Sequence, residues 1–117
     1  MEFMLLLYSD ETLASKVEGN ELAKVFAQFG KVTEGLKARN QLKHTQPLQP
    51  TRAATTVRVR DGKRTTTDGP FAETKEQIGG YYVIDVKSLD EAVEIAAELP
   101  TSWYGSVEIR PIMRMDR

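Results

Sequence analysis

The chain of 117 residues contains no cysteine. That excludes a disulfide framework, a thiolate zinc site and a thiol nucleophile. It contains one histidine, His44, which disfavours a Ser–His–Asp triad or a multi-histidine metal centre within one chain. A charge excess is lacking too. Sixteen basic residues face 17 acidic ones, for a net charge of −1. A dedicated nucleic-acid binder usually carries a basic excess, so no nucleic-acid partner is expected. No apolar run approaches the ~18–20 residues a membrane-spanning helix needs, and no membrane partner is expected. Residues 1–8 lack a basic n-region and read as a first strand rather than a signal peptide. The default compartment is the cytoplasm.

What is present is enough for one domain spanning residues 1–117. Surface scaling gives such a chain roughly 6,400 Å² of folded surface against about 19,000 Å² unfolded, so about two thirds is buried without staples. Residues 3–8 form a continuous apolar run of strand length. From Asn20, a plausible N-cap, the period changes. Leu22, Val25, Phe26, Phe29, Val32 and Leu36 mark one stripe of an amphipathic helix. Residues 41–50 carry Pro47 and Pro50 and predict a short or irregular strand followed by a turn. Residues 54–60 alternate strictly, Asp61-Gly62 follows, and threonines resume, which predicts a hairpin with a type I′ turn. Residues 72–77 allow one helical turn. Residues 81–86 are a strand, and Ser88 with Glu91 forms a capping box for a second helix. Its apolar side is Leu89, Ala92, Val93, Ala96 and Leu99. Trp103 and Tyr104 fall in a loop, and residues 106–113 close the chain as a strand. The order is that of an α+β, ferredoxin-like domain with an antiparallel sheet.

The strand faces add an inference. In residues 3–8, Phe3, Leu5 and Leu7 point one way, and Met4, Leu6 and Tyr8 the other. In the later strand Tyr82, Ile84 and Val86 oppose Tyr81, Val83 and Asp85. Two helices cover one face of such a sheet, so the second needs another partner. A second copy related by a two-fold axis is the simplest candidate. The expectation is a homodimer with sheets packed face to face; a central strand covered by the chain's own loops is the alternative.

The stretch Asp68-Gly69-Pro70-Phe71-Ala72-Glu73-Thr74-Lys75-Glu76-Gln77-Ile78-Gly79-Gly80-Tyr81-Tyr82 resembles the signature of the DGPF-domain family, part of the wider YCII-related proteins. Ser88-Leu89-Asp90-Glu91-Ala92 and Val107-Glu108-Ile109-Arg110-Pro111 extend the resemblance, as do Met4-Leu5-Leu6-Leu7-Tyr8 and Thr56-Val57-Arg58-Val59-Arg60-Asp61-Gly62-Lys63. It implies a small bacterial protein built as a dimeric α+β barrel. Some relatives are encoded beside extracytoplasmic-function sigma factors, which implies a regulatory setting. Others have been proposed as enzymes on a His–Asp pair whose histidine lies on the first helix. Here the first helix holds no histidine, and His44 follows it.

Several residues could carry chemistry, and each has a structural reading beside the functional one. Asp68 either holds an Asx-type turn or serves as a general base at the mouth of a cleft. His44 is the one side-chain type whose ordinary titration falls near neutral pH. It is either structural or paired with Asp68 as an acid–base couple. Phe71 plugs the core or lines a ligand site. Glu73 and Lys75 are a solvated face or polar groups converging on a ligand. Tyr81 joins them as a ligand-binding candidate. Gly79-Gly80 is a bulge or lets the backbone approach a ligand. Arg58, Arg60, Lys63 and Arg64 protect a hairpin edge or dock an anion or a partner protein. No phosphate loop is present, and neither cofactor nor metal is expected. Two functions follow. One is a small-molecule-binding dimer, with or without an enzymatic activity, whose cleft lies between sheet and helices near Asp68, Phe71, His44 and Tyr81. The other is a non-catalytic regulatory interaction module, linked through the resemblance to a sigma-factor pathway.

Overall fold

The structure, a computed structural model, describes residues 1–115. The first apolar run forms β1 (Glu2–Ser9). Asp10 then caps a short helix α1 (Glu11–Ala14), its carboxylate accepting from the Thr12 backbone N–H at 2.9 Å. The long amphipathic stripe becomes α2 (Gly19–Ala38). This helix starts one residue before the expected cap. Glu18 occupies the cap position without a side-chain bond, and Gly19 takes φ +66 there. Then come β2 (Leu42–Pro47), a 3-10 turn (Thr51–Ala53), β3 (Thr55–Arg60) and β4 (Lys63–Asp68). The remaining elements are β5 (Gln77–Asp85), α3 (Leu89–Glu98), α4 (Thr101–Tyr104) and β6 (Ser106–Pro111).

The main sheet is antiparallel in the order β2-β5-β1-β6, with the apolar strands β1 and β5 at its centre. This α+β arrangement is compatible with a ferredoxin-like fold. Among the described residues, strands β3 and β4 pair only with each other. The expected hairpin turn is there: Asp61 and Gly62 take φ of +54 and +74, the two positive values a type I′ turn requires. The glycine pair makes a bulge. Leu7 lies opposite Gly80 while Tyr8 lies opposite Ile78, leaving Gly79 extra.

The core lies on one face of the main sheet. Phe3, Leu5 and Leu7 of β1 meet Tyr82, Ile84 and Val86 from β5 and its end, under Val32 and Leu36 of α2 and Ala92, Ile95, Ala96 and Leu99. The buried stripe of α3 thus runs at spacings of three and four from Ala92. Leu89 and Val93, expected within it, are half-exposed. Leu89 opens the helix a turn beyond the core, and Val93 falls beside the stripe.

Two local expectations fail for identifiable reasons. Residues 72–77 make no helical turn. The Gln77 side chain donates to the Thr74 carbonyl at 2.6 Å, a side-chain bond that replaces the helical backbone pattern. Residues 101–104 are helix α4, not loop. Pro100 sits at its cap with φ −54, a value preset for a first turn. The Trp103 backbone N–H bonds the Pro100 carbonyl at 2.9 Å.

Candidate functional site

The first half of α2 does not close onto the sheet. Val32 and Leu36 are buried, but Phe26 in the same stripe is 66% exposed. The gap beneath is a cleft of ≈ 430 Å³, within the range typical of small-molecule sites. Leu7, Gly80 and Tyr82 form its floor, Phe26 and Phe29 one wall, and Thr101 and Tyr104 of α4 the other; Ser9, Thr45 and Gln46 line the rest. Gly80 lets β2 and β5 approach closely at this end of the sheet. A Cβ there would lie 3.1 Å from the Gln46 carbonyl oxygen. A neighbouring cleft of ≈ 720 Å³ shares Phe26, Phe29 and Tyr104 and continues past Leu22 to Trp103.

Hydrogen bonds fix the lining. Thr33 Oγ1 donates to the Phe29 carbonyl at 2.8 Å and lies 2.7 Å from the Tyr82 hydroxyl. With the threonine proton engaged on the carbonyl, the Tyr82 hydroxyl donates to Thr33. Thr45 Oγ1 donates to the Tyr81 carbonyl at 2.9 Å. Trp103 Nε1 donates to the Ala97 carbonyl at 3.0 Å, which pins α4 beside α3. The lining contains no carboxylate, imidazole or ammonium group. Its hydroxyls and one amide can orient a ligand through hydrogen bonds, and its tyrosines are its only titratable groups.

The residues singled out from sequence lie elsewhere. His44 is opposite Val83 on the other face of the sheet, where its Nδ1 is 2.7 Å from the Tyr81 hydroxyl and the rings stack. The hydroxyl donates when Nδ1 is unprotonated. Asp68 ends β4, opposite Thr55 and exposed. No hydrogen bond or ion pair joins it to His44 among the described residues, so the structure brings His44 and Tyr81 together but not His44 and Asp68. The Asp68 carboxylate accepts no hydrogen bond among them either. The turn is held by the Gly69 backbone N–H on the Ala54 carbonyl at 2.7 Å and Thr56 Oγ1 on the Gly69 carbonyl at 2.8 Å. Phe71 is 78% exposed rather than a core plug. Glu73 and Lys75 are exposed. None of these six lines the cleft. Tyr82, Phe26 and Phe29 were missed as site residues. Part of the signal was available: strand parity placed Tyr82 with Ile84 and Val86 on one face, and the helix stripe held both phenylalanines.

The uncovered face is also defined. Leu6 lies between Tyr81 and Glu108, and Met4 between Val83 and Arg110. Both are half-buried. At the sheet end the Tyr8 hydroxyl donates to Glu108 at 2.9 Å. That bond to a carboxylate, aided by partial desolvation, raises the Tyr8 pKa. Among the described residues, no group of three or more His, Asp or Glu is placed to hold a metal. No described helix is long and apolar enough to cross a membrane.

An antiparallel sheet with helices on one face, an apolar cleft under α2 and a self-paired hairpin define a small α+β domain. The chain belongs to the YCII-related family, whose domain model matches residues 1–116. It is similar to an uncharacterized protein of Rhizobium meliloti (strain 1021), at 39% identity over 114 residues. The match covers 96% of this chain and 92% of that protein.

Proposed function

We propose that the protein is a homodimeric α+β barrel that binds a small, largely apolar molecule in the helix-side cleft of each protomer. The cleft carries this reading. It is aromatic, of ligand size, and supplied with a few hydroxyls and one amide, the composition of an orienting binding site. Acid–base catalysis within it finds no carboxylate or imidazole, so binding is favoured over turnover. The earlier candidates Asp68, Phe71, Glu73 and Lys75 lie outside it, and His44 with Tyr81 faces the proposed dimer interior.

Dimerisation rests on surface arithmetic as well as on the apolar Met4–Leu6–Tyr81–Val83 patch. The chain exposes 8814 Å², about 2,400 Å² more than the scaling for a compact monomer of its mass. A standard interface takes about 800 Å² per partner.

A thermal-shift screen of small aromatic and carbonyl compounds tests the cleft, run on wild type and Phe26→Ala. A compound that raises the wild-type melting temperature and loses that effect in the variant supports the reading. Equal shifts in both proteins, or none in wild type, count against it. In the second case a regulatory interaction role, including a sigma-factor link, becomes the better account.

A further inference from the structure

The β3–β4 hairpin does not pack on the body that carries it. Every residue of Thr55–Asp68 is exposed except the half-buried Thr56. Among the described residues, no hydrogen bond or ion pair runs from it to anything beyond its base at Ala54 and Gly69. An isolated two-stranded hairpin is at best marginally stable in water. Two apolar side chains are moreover exposed on one side of it: Val57 and Val59 share a face with Thr66 and Arg64 of β4 and are 57% and 58% exposed. The overhang contributes to a radius of gyration of 16.3 Å, against about 13.4 Å for a compact chain of this length.

We propose that this hairpin is an arm that packs its Val57–Val59 face against a second copy of this chain. The inference rests on the protein being a homodimer and assigns the arm to that interface. Three observations select a second copy as the occupant. The arm bears Arg58, Arg60, Lys63 and Arg64 against Asp61 and Asp68, a net +2, which leaves the rest of the chain at −3. Each body is therefore electrostatically complementary to the other's arm. The surplus exposed surface exceeds what one standard interface covers, leaving area for an arm beyond the paired sheets. And a two-fold axis makes the exchange reciprocal, with both arms covered at once.

The test uses the full chain and the double variant Val57→Lys with Val59→Lys. Because the arm touches little of its own body, the variant's circular dichroism should match wild type. Sedimentation equilibrium should show the dimer weakened by at least about a hundredfold, since two valines lose burial on each of two arms. Hydrogen exchange at residues 55–68 should be slow in the wild-type dimer and fast after dilution to monomer. An unchanged dissociation constant with fast exchange in the dimer overturns the arm and leaves sheet pairing intact. A wild type that is monomeric overturns both. Protection of these amides only on adding duplex DNA at physiological salt also overturns it.

Discussion

Tyr81 and Tyr82 are chain neighbours that face opposite sides of one sheet. Tyr82 puts its hydroxyl 2.7 Å from Thr33 under α2 and lines the cleft. Tyr81 puts its hydroxyl 2.7 Å from His44 on the uncovered side. This strand alternation puts one tyrosine in the cleft proposed to bind a ligand and the other on the face proposed to meet a second chain.

Tyr82→Phe should therefore lower stability by about 1 kcal/mol, the usual net worth of one hydrogen bond. The loss should appear as a lower urea midpoint at unchanged slope. Thr33→Val in the same background should add less than it costs alone, because the partner is already gone.

Gly105→Ala should be among the most damaging single substitutions. A Cβ at Gly105 would collide with the Tyr8 carbonyl oxygen and crowd Ser9, mostly backbone that cannot rotate away. The expected cost is about 2–3 kcal/mol, as for overpacked cores. A wild-type melting temperature in the variant would contradict this placement of α4 and β6 against β1.

Asp68→Ala should change stability by less than about 0.5 kcal/mol, as at exposed positions generally. The motif invited a stronger expectation, since an aspartate before Gly-Pro reads as a turn acceptor. The backbone of Gly69, at φ +95, takes that work instead.

Glu91 gives a pH dependence with a definite sign. Its carboxylate accepts from the Lys87 backbone N–H at 3.1 Å and from Gln41 Nε2 at 2.6 Å. The backbone bond first and the Gln41 bond second hold its pKa below the ordinary glutamate value. A lowered folded pKa stabilises above the unfolded value near ~4.3 and is lost as pH falls through the folded value. Glu91→Gln should remove that part of the acid limb, seen in melting temperatures between neutral pH and about pH 3.

Much of the fold was legible because its signals are local. Strand parity, the α2 stripe, the Asp61-Gly62 turn and the Ser88 cap each depend on a few neighbours. The Glu91 side chain departs slightly, bonding the Lys87 rather than the Ser88 N–H. The cleft was less legible. It arises from how far the Phe26 end of α2 stands off the sheet, a tertiary distance no spacing encodes. The motif residues Asp68 and Phe71 drew attention as chemistry, yet they sit where the hairpin joins the body. His44 was paired on paper with Asp68, whereas strand register pairs it with Tyr81.

The proposed dimer places the uncovered sheet face against a second chain. Sedimentation equilibrium of wild type and Leu6→Lys at micromolar concentration tests it most directly. Leu6 sits mid-face between Tyr81 and Glu108, so a lysine there puts an unpaired charge into the interface. Wild type should sediment at twice the 13.2 kDa chain mass, and the variant at one chain mass with its circular dichroism retained. Wild type sedimenting as a single chain would contradict it.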